Sequence, residues 1–468
     1  MKILVVIANY GTRNDRYLDR VVEEYRSQPW DIDIVVLTNV PKAVTGATRI
    51  VVHQPVGDPW TFPFAHKQIF ADGADRYDLF IYSEDDTLVT QTNIEAFLAA
   101  TEVLREDEIA GFMRFEECTA GDRSVCTING HFHWDPTSVV QRGACTFAYF
   151  SNEHAACYML TRRHLKKALE SGGFLLQPYE EKYDLLVTAA TDPYTRCGLR
   201  KLVSVSNFKN FLVAHLPNKY IGKFGVSLTN VNCQLAALKE IGSGTRGASV
   251  LMRTETRLRY QRWSRNYFGP PRLEVLDSIA GSGRRVLSYG SGDGETERAM
   301  VENGYQVAVI PLDSVVGACS ERAGMEAIYG SGEAVWDAIR GRQFDWIVAI
   351  DILHLVPDPV ALLQKMRGFL PHGGSVVASV PNVVQARTVW RWLKGDRGLA
   401  TVGDIPRSGV QAVSSRSIRR WFGDSGFEIT AFEPFVTRNE LKWNRTACRT
   451  LPGVFADQFV VRGEKLAS

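Results

Sequence analysis

The chain has 468 residues, 45% of them hydrophobic and 23% charged, with a formal net charge of +2. That length exceeds what one hydrophobic core sustains, so more than one domain is expected. The near-balanced charge excludes a polyanion binder of the whole-surface type, and nucleic acid is not an expected partner. No apolar run reaches the roughly 20 residues of a membrane span.

In chain order, Lys2–Ala8 is a β-branched run that reads as a buried first strand rather than a leader peptide. Tyr17–Tyr25 has helical spacing, Asp33–Thr38 and Arg49–His53 are strand-like, and Thr61–Ala74 is partly helical. Leu79–Tyr82 is a strand that runs into Glu84-Asp85-Asp86. Such alternation predicts a mostly parallel sheet with helices on its faces. Ligands in such sheets sit beyond the carboxyl ends of the strands, where Asn9-Tyr10 and Glu84-Asp85-Asp86 both fall. Three successive carboxylates there are either a solvated acidic turn or a site for a hard divalent cation with diphosphate oxygens in its shell.

On these residues the stretch 1–241 resembles the GT-A glycosyltransferases. The resemblance implies an α/β nucleotide-sugar fold, with Asn9 and Tyr10 in the donor loop, Glu84 and Asp85 beside the donor, and Asp86 binding Mn²⁺ or Mg²⁺. It also implies a late His completing the metal shell, for which His215 is the candidate. Tyr179-Glu180-Glu181-Lys182-Tyr183-Asp184-Leu185 is similar to the family's acidic stretch at a helix start. Glu181 is then the expected base of an inverting reaction, with Glu180 and Asp184 behind it; a retaining reaction needs no such residue. Lys67 either faces the diphosphate or is a solvated lysine. Trp60, Phe62 and Phe64 are stacking or core aromatics, and His131 and His133 flank Phe132 in a polar-aromatic loop.

Between Gly242 and Pro271 the composition shifts. Arg253, Arg257, Arg259, Arg262 and Arg265 are spaced to share a helical face, either as a solvated connector, residues 242–274, or as a peripheral contact with an anionic membrane.

A second α/β pattern then opens. Val286-Leu287-Ser288-Tyr289-Gly290-Ser291-Gly292-Asp293-Gly294 is followed by Phe344–Pro359 and by Leu370-Pro371-His372-Gly373-Gly374. Residues 275–468 thereby resemble class I S-adenosylmethionine (SAM)-dependent methyltransferases, which implies a Rossmann-like sheet with Gly290, Gly292 and Gly294 cradling SAM. Two expected acids are replaced, by Ser288 on the first strand and by Pro311 at the end of the second. Asp313 stands in for the ribose-binding acid only if its loop is rearranged.

Eight scattered cysteines without a CxxC pair predict reduced thiols in a cytoplasmic protein. The expected protein is thus an α/β, two-domain transferase. It takes a nucleotide-sugar donor and a glycan or lipid-linked acceptor, with an appended methyltransferase-like half. The alternatives are a SAM-dependent glycan methyltransferase whose first half holds the acceptor, and a non-catalytic scaffold.

Overall fold

The computed structural model describes all residues except 118–122, 126–131, 222–224, 280, 282, 437–449 and 467–468. Backbone contacts divide the chain into two compact units, Met1–Thr245 and Arg246–Ser468. Residues 246–274, expected as part of a separate connector, belong to the second unit.

In the first unit a five-stranded sheet runs in the order Cys157–Thr161, Leu79–Glu84, Lys2–Asn9, Asp31–Thr38, Arg49–Val52. All but the edge strand Cys157–Thr161 are parallel. Ile3 through Ile7 are buried without alternation, as befits a parallel strand covered on both faces. The helix Asp15–Ser27 buries Leu18, Val21, Val22 and Tyr25, a stripe with helical period that packs on this sheet. The chain steps outward from the first strand to the third, then returns to place Leu79–Glu84 on the other side of Lys2–Asn9. That reversal is a topological switch point, where the carboxyl ends of two adjacent strands leave a crevice. Ala8 and Glu84 are in register there.

Directly after the acids, Thr87–Leu88 leaves this sheet and pairs with Leu212–His215 in another. Thr87 is the register partner of His215. The turn through the three acids therefore brings a histidine more than a hundred residues away onto them.

The second unit holds a seven-stranded sheet. Its order is Glu326–Ala327, Gln306–Pro311, Arg285–Ser291, Trp346–Ile350, Ser375–Pro381, Gln458–Lys465, Phe427–Phe435. The first five are parallel, and Gln458–Lys465 is antiparallel to both of its neighbours. This is a doubly wound sheet whose switch point lies between Arg285–Ser291 and Trp346–Ile350. Val286, Val309, Val348, Val377 and Val460 from five adjacent strands form its core.

The expected arginine-bearing helix does not form. Tyr260, Gln261 and Trp263 have positive φ, which no helix accommodates, and buried Leu251, Thr254, Thr256 and Leu258 alternate with more exposed neighbours. The arginines point to different partners as a result. Arg257 donates to the Pro406 carbonyl, Arg262 pairs with Asp396, and Arg265 is buried. Among the described residues no helix is long and apolar enough to cross a membrane. Among the described residues, Cys145, Cys157 and Cys197 are free thiols.

Candidate functional site

At the first unit's switch point, Asp85 is held twice. Asn9 Nδ2 and Asn14 Nδ2 each donate to it at 2.7 Å. Asn9 is fixed in turn by Lys42 Nζ at 2.7 Å, which also pairs with Asp15. Asp86 receives a longer bond from Asn14 at 3.3 Å, and both His215 Nε2 and Lys219 Nζ lie 3.6 Å from its Oδ2. Glu116 orients the imidazole through His215 Nδ1 at 2.5 Å and accepts from the backbone of Tyr220 and Ile221. Glu84 Oε1 and Asp86 Oδ1 are buried with no hydrogen-bond partner among the described residues.

The environment separates the three carboxyls. Burial, then the Asp86 charge, push Glu84 up to about 8. The same two causes lift Asp85 to about 6 against its asparagine bonds. For Asp86 burial also acts upward, but the His215 hydrogen bond and charge, with Lys219 and Arg114, outweigh it and hold the carboxyl below its ordinary value. One ionised and one protonated acid at neutral pH, side by side in a crevice, is a pattern found at functional sites.

The other expected residues of this half lie elsewhere or do other work. Lys67 does not face the crevice as a free cation. It is buried, ion-paired with Asp192 and stacked on the Phe64 ring, and Asp192 also takes the Tyr179 hydroxyl at 2.5 Å. A lysine on a buried helical face needs such a partner, so its role is packing. Glu181, expected as a base, is exposed and paired with Arg196, while Asp184 caps the helix Leu185–Ala189 by accepting from Val187 N at 2.9 Å. Glu180 is half-buried.

Phe62 and Phe64 are core, whereas Tyr10 (48% exposed) and Trp60 (52%) remain open. Tyr10 packs edge-on against Phe62 at 5.5 Å. His131 lies outside the described residues, and His133 Nδ1 is 3.1 Å from the Trp134 carbonyl. Among the described residues no group of three or more His, Cys, Asp or Glu is arranged to hold a metal. Asp86 and His215 do converge, as the resemblance implied; Asn14, Glu116 and Lys219 were missed, since nothing in their local sequence marks them.

In the second unit the glycines meet close packing. Gly290 and Gly294 have φ of 75° and 84°, and a Cβ on Gly292 would stand 2.3 Å from the Tyr267 carbonyl oxygen. Asp293 N donates to that same carbonyl at 3.0 Å, so the segment before the first strand lies across the loop. Ser288 is not an empty substitution. Its hydroxyl donates to Glu297 Oε1 at 2.6 Å, both groups buried, so the helix Glu295–Glu302 supplies the carboxylate that the strand lacks.

A cavity of about 130 Å³ beside the loop is lined by Arg265, Arg272, Asp293, Glu297 and Asp351, among others. Arg272 Nη1 pairs with Asp351 at 2.8 Å, and Asp351 takes the Ser379 hydroxyl at 2.6 Å. Asp351 has φ of 51°, a strained backbone for an aspartate, and such outliers cluster at functional positions. Arg265 Nε and Arg272 Nη2 are buried without hydrogen-bond partners among the described residues. Burial, then Glu295 and Glu297, push Asp293 up to about 8. Arg265 was read from the sequence as linker charge and Arg272 was missed; only the fold brings them to the loop.

Asp313 caps a helix. Its Oδ1 caps the helix Ser314–Arg322, accepting from Val315 N and Val316 N at 2.8 and 2.9 Å. Backbone bonds from Leu251 N to the Leu312 carbonyl and from Ser314 N to the Ser249 carbonyl run a strap of the chain past it.

A family model described as "Methyltransferase domain" matches residues 260–431. Those residues form a class I SAM-dependent methyltransferase domain. The match starts on the strap and includes the glycine loop, Asp351 and both cavity arginines. A ubiquinone biosynthesis O-methyltransferase of Shewanella halifaxensis is 31% identical over 121 residues, which is 24% of this chain and 51% of that one. One from Pseudomonas aeruginosa strain PAO1 is 28% identical over 120 residues, with the same coverages. The chain spans about half the length of these relatives. Among solved structures, a SAM-dependent methyltransferase from Thermotoga maritima matches 41% of this chain and 87% of its own (TM-score 0.30, 13% identity). One from Archaeoglobus fulgidus matches 42% and 91% (TM-score 0.32, 15% identity). The family match covers none of the first unit.

SAM divides into an amino-acid half and an adenosine half, and the site treats them differently. The guanidinium N–H groups beside the glycine loop, buried and without hydrogen-bond partners among the described residues, fit a carboxylate. The end of the second strand has Pro311 in place of an acid, and Asp313 beyond it caps a helix through Oδ1.

Proposed function

We propose that this protein is a SAM-dependent methyltransferase acting on a glycan, with the methyl donor in the second unit and the acceptor held by the first. The observation that carries the reading is the coincidence of the family match with the arginine-lined cavity at Gly292. SAM, when bound, supplies an electrophilic methyl group. Arg265 and Arg272 would hold its carboxylate through the N–H groups left unpartnered, and Asp351 fixes the Arg272 fork. Asp293 and Glu297 would place negative charge near the ammonium and sulfonium. The exposed Tyr10 and Trp60 rings of the first unit support a sugar-stacking surface. The test is transfer of label from methyl-labelled SAM to polysaccharide and oligosaccharide acceptors, paired with equilibrium dialysis of SAM alone. Label in the glycan and SAM retention, both lost in Arg272→Met, are expected; no retention of SAM by the wild-type chain would reject the reading.

A second reading, favoured by the Asp86–His215–Lys219 convergence, is metal-dependent glycosyl transfer from a nucleotide sugar to a glycan or lipid-linked acceptor. Asp86 and His215 would hold the Mn²⁺ or Mg²⁺ and Lys219 would face the diphosphate. Nucleoside-diphosphate binding that requires Mn²⁺ and disappears in Asp86→Ala supports it. Binding that ignores both the metal and the substitution removes it.

A further inference from the structure

The helix Ala386–Leu393 follows the fifth strand of the second unit, and none of its residues is buried. At 100° per residue Val389, Trp390 and Leu393 share one face, and these are 43, 56 and 70% exposed. Trp392, on the flank, is 50% exposed. The polar side turns the other way. Arg391 is only half-exposed and lies 3.9 Å from Asp396, which also binds Arg262 at 3.2 Å. A surface helix of a water-soluble fold normally presents its apolar stripe to the core. This one is inverted.

The apolar face is also extended and basic at its edge. Val384 (39% exposed) precedes it, and the short helix Pro452–Phe455, carrying exposed Val454 (44%), packs beside it next to exposed Leu451 (58%). Between Val384 and Arg397 stand four basic side chains, Arg387, Arg391, Lys394 and Arg397, against one acid, Asp396. Lys394 Nζ sits 3.8 Å over the Trp390 ring, an arrangement in which the stem covers the indole and the ammonium stays at its rim.

We propose that this face is a peripheral membrane contact, its Trp390 and Leu393 entering the interfacial layer and its basic rim meeting anionic phospholipid headgroups. Tryptophan and aliphatic side chains outward, with lysine and arginine at the flanks, is the composition that lies in a bilayer interface. A second copy of the chain is the poorer occupant, since a two-fold contact through this face would oppose like-charged rims. The surface is separate from the arginine-lined cavity, so the proposal stands or falls without SAM binding.

The test is sedimentation of the full chain with vesicles of phosphatidylcholine alone and with about 30% phosphatidylglycerol added, at low and high salt. Expected is binding to the anionic vesicles at least ~10-fold stronger than to neutral ones, weakened by salt. Trp390→Ser with Leu393→Ser should lower it by a further ~10-fold or more, with an unchanged unfolding midpoint because both side chains are exposed. Arg387→Glu with Lys394→Glu should remove the preference for anionic lipid while leaving the apolar face intact. Equal partition of wild type and both variants overturns the proposal. A concentration-dependent dimer abolished by the serine variant also overturns it, by showing a second copy on that face.

Discussion

Both units place polar residues at the switch point of a parallel sheet, and they finish the crevice in opposite ways. In the first unit the strand ends stay acidic, with Asp86 Oδ1 and Glu84 Oε1 lacking hydrogen-bond partners among the described residues. In the second the glycine loop is overlaid by the chain itself, with Tyr267 against Gly292 and Ser249–Leu251 against Leu312–Ser314. The difference teaches that resemblance to a family and readiness of a site are separate properties. The unit with the matching family model has its glycine loop overlaid by its own chain, and the unit it leaves out keeps a buried cluster of acids at its strand ends.

The largest effect expected from breaking this contrast is on stability. Lys67→Met would strand Asp192 as a buried, unpaired charge and should cost about 3–5 kcal/mol in a urea titration. A loss below ~1 kcal/mol would mean that the pair is hydrated and that Lys67 is available to a ligand after all. Gly292→Ala forces a Cβ into the Tyr267 carbonyl and should destabilise by about 1–3 kcal/mol while loosening the strap. Faster amide exchange between 249 and 268 than in the wild type checks the second part.

For the ligand, Arg272→Met should weaken SAM by ~10–100-fold, the value of a charge-assisted hydrogen bond. Next comes a pH effect. Asp293 is raised to about 8, chiefly by burial, so its neutral form prevails at pH 7 in the free protein. A cationic ligand favours the carboxylate, and SAM affinity should therefore rise on the order of tenfold between pH 6.5 and 8.5 and stay flat in Asp293→Asn. The matching stability contribution has the opposite sense. It is fully present below the ordinary carboxylate range and is lost as pH rises towards about 8, so Asp293→Asn should be the more stable protein at pH 8.5. The smallest effect is for Glu181→Gln, an exposed pair with Arg196, at under about 1 kcal/mol. A large loss of sugar-transfer turnover in that variant would restore its place as a base.

Many of the strands were legible because buried parallel strands read as unbroken runs, such as Ile3–Ile7 and Trp346–Ile350. Asn9 and Asp85 were within reach because adjacent strand ends in one sheet converge, whereas His215 lies on a strand of another sheet and was named only through the family resemblance. What was not legible depends on contacts far apart in the chain. Glu297, on the helix that follows the glycine loop, accepts from the Ser288 hydroxyl where the strand lacks an acid, which spacing alone does not reveal. The arginine-rich stretch has a helical charge pattern, yet positive φ at Tyr260, Gln261 and Trp263 folds it into a strap, because packing on the loop outweighs a weak local preference. Lys67 shows the same limit: only burial against Asp192 distinguishes a packing lysine from a ligand lysine.

The most direct test of the central claim is calorimetric titration of the full chain with SAM at pH 8.5, beside the Arg272→Met and Asp293→Asn variants. The account predicts one site, weakened at least ~10-fold by Arg272→Met, with the pH dependence gone in Asp293→Asn. Absence of heat and of any ligand-induced rise in unfolding midpoint for the wild type would contradict it and leave the first unit as the seat of chemistry.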